Sequence, residues 1–296
     1  MVDLPADTDM VSTHMQFPDS LHTEVQNNVR TALAEDLGSG DLTARLSPAG
    51  RRSRGTVITR EAAVIAGKAW FDACFQQLDN SARIRWHVAD GEAVRPDQAL
   101  CEIAADTRAL LSAERAALNF LQLLSATATV TRRYVDAVAG THASIVDTRK
   151  TLPGLRRAQK YAVLCGGGSN HRLGLYDGIL IKENHIIAAG GVSAALAAAK
   201  LIASANVFIQ IEVETLAQLD EALAAGATLI LLDNMDLQQM SEAVRITNGR
   251  AKLEASGGVR LDTVRAIAET GVDRISIGSL TKDVRAIDLS LRHSES

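Results

Sequence analysis

A chain of 296 residues has room for two domains, or for one large barrel with an appendage. Hydrophobic residues at 47% and charged residues at 22% exclude a disordered chain, while 3% aromatics and a net charge of −4 supply neither stacking platforms nor a general attraction for nucleic acid. Cys74, Cys101 and Cys165 are widely separated and form no C-x-x-C pair, so they suggest neither a disulfide framework nor a zinc site and fit a reducing, cytoplasmic home.

The opening segment, 1–20, mixes Pro, Asp, Ser and Thr without periodicity and is expected to fray. Its four aspartates, with no Lys or Arg, are the reverse of a signal peptide's basic start. Apolar residues then recur at Leu21, Val25, Val29, Leu33 and Leu37, a spacing that predicts a helix with one buried stripe, ended by Gly38-Ser39-Gly40. Between Arg51 and Ile103 the pattern changes to short β-like runs at 55–59, 63–66, 84–88 and 99–103, with turns at Asp90-Gly91 and Arg95-Pro96-Asp97. This predicts a small sheet with a flanking helix. The stretch Val88 to Ile103 resembles the hairpin of biotin and lipoyl carriers, but no lysine lies between Lys68 and Lys150 to carry the group, so a scaffold sheet is the better reading.

An Ala- and Leu-rich helical stretch, Ser112 to Ala139, leads into a different regime. Buried-looking runs at 144–147, 178–182, 207–213, 228–233, 251–255 and 274–278 alternate with helical segments such as 193–205, 216–225 and 263–270. The last four runs start at 207, 228, 251 and 274, intervals of 21, 23 and 23 residues that fit successive right-handed β-α units and a parallel barrel. An open doubly wound sheet has similar intervals. The longest apolar stretch, Val192 to Ile209, is broken by Ser193, Lys200, Ser204 and Asn206 and is too interrupted for a membrane span.

Each apolar run ends in polar residues: Asp147 and Arg149, Lys182, Glu212 and Glu214, Asp233 and Asn234, Glu254 and Ser256, Gly278 and Ser279. The carboxyl ends of parallel strands converge on one face, so these side chains are expected around one cavity. From Arg149 to Lys182 there are seven Lys or Arg against Asp177 alone, a balance of +6 in 34 residues, which suits a small polyanion. Arg156, Arg157 and Lys160, at helical spacing, read as a solvated basic face. Lys182, closing an apolar run, reads as a buried ammonium whose partner is the ligand. Gly166-Gly167-Gly168 and Ser256-Gly257-Gly258 are places where backbone N–H groups can approach phosphate, the second reinforced by Gly278-Ser279 on the next loop. Glu212 and Asp233 form an acid pair suited to Mg²⁺ held with phosphates, or to positive charge developing on a sugar carbon.

The runs Glu35 to Thr43, Glu114 to Phe120, Asp147 to Leu155, Lys160 to Arg172, Leu180-Ile-Lys-Glu-Asn-His185, Leu232-Asp-Asn234 and Leu253-Glu-Ala-Ser-Gly-Gly-Val259 resemble the quinolinate phosphoribosyltransferases. The resemblance implies an α/β protein: an N-terminal α/β sandwich, here 21–125, and a C-terminal irregular seven-stranded α/β barrel, here 126–296, whose last residues pack back on the first domain. It implies transfer of the phosphoribosyl group of phosphoribosyl pyrophosphate to quinolinate, with Mg²⁺, giving nicotinate mononucleotide, pyrophosphate and CO₂ in NAD biosynthesis. By the same resemblance Arg149, His171 and Arg172 grip quinolinate, and Lys150, Lys182, Glu212 and Asp233 are the catalytic group. Glu212 and Asp233 meet ribose and metal, directly or through water, and Ser256, Gly257, Gly258, Gly278 and Ser279 cradle the 5′-phosphate. Arg115 is expected to reach the neighbouring site of a homodimer. The rivals are a phosphoribosyltransferase for nicotinate and a barrel aldolase with Lys182 as Schiff-base nucleophile.

Overall fold

Two sheets organise the protein, and one long helix joins them. The structure, a computed structural model, describes residues 18–294. Of the segment 1–20 expected to fray, 1–17 lies outside the described residues, and Asp19 and Ser20 are instead in regular structure. Asp19–Leu21 make a 3-10 turn into α1 (His22–Leu37), which buries Val25, Val29 and Leu33 as the four-residue spacing requires. The first sheet domain continues with β1 (Arg52–Thr59), β2 (Ala63–Val64), α2 (Lys68–Leu78), β3 (Arg83–Trp86), β4 (Ala93–Val94) and β5 (Ala99–Asp106). β1, β5 and β3 are antiparallel neighbours, and β2 pairs separately with β4. Trp70, Phe71 and Phe75 of α2 are fully buried and pack, with α1, into the core of this domain.

Helix α3 (Thr107–Ala137) is capped by Asp106, whose carboxylate accepts from the N–H groups of Arg108 and Ala109. It runs 31 residues without interruption across the anticipated division at 125/126. Its Leu110 to Ala128 face belongs to the first core and Tyr134 to the second, so the two cores share one rod.

The second core is the barrel: β6 (Ser144–Val146), α4 (Arg156–Cys165), β7 (Gly178–Ile181), α5 (Glu183–Ala189), α6 (Val192–Ile202), β8 (Phe208–Val213), α7 (Leu216–Ala224), β9 (Leu229–Asp233), α8 (Leu237–Thr247), β10 (Lys252–Ser256), α9 (Val264–Glu269), β11 (Arg274–Ser276) and α10 (Ser279–Lys282). Its strands are parallel in the order β6-β11-β10-β9-β8-β7. Six regular strands are present among the described residues rather than seven. The seventh stave is reduced to one residue, Ser169, bridged to Val146. Next to it the wall is open to β7, and Arg172 Nη1 spans the gap to the Gly178 carbonyl at 3.0 Å. The chain then returns as β12 (Leu289–Ser294), antiparallel to β1, which makes the first sheet four-stranded. No single helix among the described residues is long and apolar enough to cross a membrane.

Candidate active site

Side chains two residues apart on a strand share a face, so register determines which residues look into the barrel. The pairings Leu180 with Gln210, Glu212 with Leu231, Asp233 with Ser256 and Glu254 with Arg274 place these residues on the inner face. At the carboxyl ends two hollows adjoin. One of about 250 Å³ is lined by Arg149, Lys150, His171, Arg172, Lys182, Glu212 and Glu254. The other, about 940 Å³, is lined by Lys150, Lys182, Glu212, Asp233, Ser256, Gly257, Gly258, Gly278 and Ser279. Twelve of the thirteen expected site residues therefore meet in one place, and Lys150, Lys182 and Glu212 border both hollows. Arg115 does not join them. It is exposed on α3, in a separate groove with Glu35, Asp36 and Pro153.

The cations are positioned by a buried foundation. Lys160 is 1% exposed and donates to the carboxylate of fully buried Asp147 and to the His171 carbonyl at 2.9 Å. Asp147 also accepts from Asn170 Nδ2 at 2.7 Å and from the His171 N–H at 2.8 Å. Burial pushes the Asp147 carboxyl up and the Lys160 ammonium down, each toward neutrality, and their mutual contact opposes both. Lys160 is thus not part of a solvated basic face: the side of α4 it occupies faces the end of β6. Arg156 is also turned to the protein, donating to the Thr151 hydroxyl at 3.1 Å and the Leu173 carbonyl at 3.1 Å.

Lys182 differs from its expected burial. Its side chain is 52% exposed and reaches Glu212 Oε2 at 3.4 Å, because it caps α5 at the cavity mouth rather than ending inside β7. Burial raises the Glu212 carboxyl, Lys182 pulls it down and Asp233 pushes it up again. Burial lowers the Arg172 guanidinium, as does Arg149 beside it, and Asp177 opposes both. His171 lines the hollow with both ring nitrogens occupied: Nδ1 accepts from the Arg172 N–H at 2.7 Å, and Nε2 lies 2.6 Å from Gln210 Oε1.

The two glycine clusters have different fates. Gly257, at φ 103°, crosses Asn234 so closely that a Cβ would fall 2.1 Å from its Oδ1, leaving the 257–258 backbone open to the larger hollow. Opposite it, the Ser279 hydroxyl is buried without a hydrogen bond among the described residues. Gly166-Gly167-Gly168 is no anion cradle. Its three N–H groups bond to carbonyls of α4, and Gly166 and Gly168 press against Thr131 of α3. Glu214 is exposed beyond the strand and lines neither hollow. Sequence reasoning missed Gln210, Thr148 and Ser276. The available signal for Gln210 was parity: it stands two residues before Glu212 on one strand.

Family models match nearly the whole described chain: the N-terminal domain of quinolinate phosphoribosyl transferase over residues 41–125 and its C-terminal domain over 127–292. The chain belongs to the quinolinate phosphoribosyltransferase family. It is 45% identical to the nicotinate-nucleotide pyrophosphorylase (carboxylating) of Mycobacterium leprae, over 90% of this chain and 96% of the relative. To the probable enzyme of that name from Bacillus subtilis it is 39% identical, over 91% and 93%. The solved nicotinate-nucleotide pyrophosphorylase of Francisella tularensis superposes with a TM-score of 0.88 at 41% identity, covering 94% of this chain and 98% of that one. Family membership accounts for the joined sheet and barrel.

Proposed function

We propose that the smaller hollow holds quinolinate and the larger one phosphoribosyl pyrophosphate, so that this member of the quinolinate phosphoribosyltransferases makes nicotinate mononucleotide, pyrophosphate and CO₂ in NAD biosynthesis. One observation carries the assignment: Arg149 and Arg172 line one hollow, Asp233 and the Gly257-Gly258 backbone line the other, and Lys150, Lys182 and Glu212 stand where the two adjoin. Guanidinium forks match carboxylates in two-point geometry, and two of them beside two ammonium groups suit a diacid better than a monoacid.

In this reading the pyridine nitrogen attacks the anomeric carbon of the ribose as the bond to pyrophosphate breaks. Glu212 and Asp233 support the positive charge on that carbon, and Lys150 and Lys182, bordering both hollows, face the charge of diacid and leaving group. The resulting pyridinium takes up the electron pair released as the adjacent carboxylate leaves as CO₂, and the ring carbon then takes a proton. Orientation and fixed charge do the work, the substrate nitrogen being the nucleophile and no side chain having to serve as one. Among the described residues no cluster of three or more metal-ligating side chains exists. The pair Glu212 and Asp233 fits Mg²⁺ held by one or two carboxylates together with substrate phosphates, where it would neutralise the leaving group. Arg115, remote from its own cavity, suits donation to the neighbouring site of a homodimer, and mixed dimers of Arg115→Ala with a Lys182-inactivated chain should regain activity. A cytoplasmic home completes the reading.

Purified protein supplied with phosphoribosyl pyrophosphate and Mg²⁺ should release CO₂ from quinolinate and leave nicotinate unused. Turnover of nicotinate alone would refute the choice of diacid. Arg149→Ala and Arg172→Ala should each weaken quinolinate binding by about 2–4 kcal/mol, and unchanged affinity would remove them from the site. The aldolase alternative is disfavoured by Lys182 itself, half-exposed and ion-paired where a Schiff-base lysine needs desolvation.

A further inference from the structure

Beneath the proposed quinolinate hollow, three buried or half-buried side chains from three strands remain without a role: Gln210 of β8, Glu254 of β10 and Arg274 of β11. We propose that they act as positioning residues which hold His171 as the neutral, Nε2-protonated tautomer, so that its Nδ1 lone pair fixes the peptide N–H of Arg172 at the floor of the hollow. The inference rests on the assignment of that hollow to quinolinate.

The proton positions follow from the bonds. The Arg172 N–H donates to His171 Nδ1 at 2.7 Å, so Nδ1 carries a lone pair and the ring proton is on Nε2. Nε2 then donates to Gln210 Oε1 at 2.6 Å. The same amide donates through its Nε2 to Glu254 Oε2 at 3.1 Å, and that oxygen lies 3.3 Å from Arg274 Nε. Reversing the amide would set donor against donor at His171 and oxygen against oxygen at Glu254, so one orientation satisfies the chain. Gln210 and Glu254 are fully buried, which makes an unsatisfied alternative costly.

Gln210 also separates two groups that would otherwise pair. Glu254 Oε1 is 3.8 Å from His171 Nε2 and accepts no hydrogen bond among the described residues. A carboxylate bonded directly to the ring would favour the imidazolium, and an imidazolium could not accept from Arg172. The interposed amide and the Arg274 charge prevent this. Burial lowers the His171 ring from its ordinary value, Glu254 and Gln210 act upward, and Arg274 and Lys160 act downward. The edge of Phe208, with ring centroids 5.5 Å apart, adds no charge. His171 therefore contributes placement to the hollow rather than charge. Arg172, held at its peptide by His171 and at Nη1 by the Gly178 carbonyl, presents the rest of its guanidinium to the ligand.

Nitrogen-15 NMR of the imidazole in the full-length protein near neutral pH reads the tautomer directly, with no substrate present. A neutral ring protonated at Nε2 is expected, and a charged ring or an Nδ1-protonated one would overturn the proposal. Gln210→Leu should abolish the single tautomer and raise KM for quinolinate about tenfold, as loss of one buried hydrogen bond does, while KM for phosphoribosyl pyrophosphate stays constant. Equal rises in both constants, or an unchanged quinolinate KM, would refute it. Should Gln210→Leu not fold, the wild-type spectrum still decides. A protein that ignores quinolinate would sink the functional assignment instead, whatever tautomer is seen.

Discussion

Replacing Lys160 with methionine removes one partner of a charged pair whose other member has nowhere to go. Asp147 is fully buried, and without the ammonium it keeps only the neutral donors Asn170 Nδ2 and His171 N–H. The His171 carbonyl loses its donor as well. Stripping one member from a buried ion pair costs about 3–5 kcal/mol, a large share of the ~5–15 kcal/mol that stabilises a folded domain. Urea unfolding followed by far-UV circular dichroism should show that loss for Lys160→Met. The double variant Asp147→Asn, Lys160→Met should recover part of it, because no uncompensated charge then remains. A single-variant loss below ~1 kcal/mol, or strict additivity in the double variant, would refute the pairing as the foundation of the 170–172 segment.

Three further outcomes follow from the geometry. Gly257→Ala forces a Cβ against Asn234 at φ 103° and should raise KM for phosphoribosyl pyrophosphate about tenfold with little effect on quinolinate affinity, and steady-state kinetics with each substrate varied would expose an opposite pattern. Gly166→Ala meets the Ala128 carbonyl and Thr131 Cβ at 2.6 Å and should cost about 1–3 kcal/mol in urea unfolding while both KM values hold, whereas a KM effect without lost stability would restore an anion-binding role for that glycine run. The Asp72 carboxyl is pushed up to about 6 by burial, against the pull of the Trp86 N–H and Lys68. The folded chain therefore holds a proton there that the unfolded chain releases, and stability falls as pH rises between about pH 4 and pH 6, by at most ~3 kcal/mol. Asp72→Asn should flatten that slope, and an unchanged slope in denaturation across this range would show that the proton resides elsewhere.

What the sequence made legible depends on whether a residue's environment is set by its neighbours along the chain. The barrel strands were readable because burial on both faces writes a continuous apolar run, and α1 because one buried stripe writes a four-residue period. β4, two residues long, writes no period. β12, an edge strand of Leu, Ser, Arg and His, gains its meaning only by pairing with β1, more than two hundred residues earlier in the chain. The seventh barrel strand fails for a related reason, since Ser169 leaves a glycine turn and enters the His171-Arg172 segment after a single bridge.

Charge shows the same boundary more sharply. The count of +6 between Arg149 and Lys182 treats every cation alike, but the fold divides them. Lys160 is neutralised by Asp147, which stands two residues before the counted stretch, while Arg156 and Arg157 are turned to protein oxygens. Around the cavity, Glu254 is offset by Arg274, Lys282 by Asp283 and Arg260 by Asp262. What is left facing the two hollows is Arg149, Lys150, Arg172 and Lys182 against Glu212 and Asp233, four charges minus two. A residue of +2 balances a diacid and leaves nothing for a polyphosphate. That shortfall is the physical reason for proposing that Mg²⁺ enters with the phosphates and meets Glu212 and Asp233 there, instead of occupying a site built from protein ligands alone.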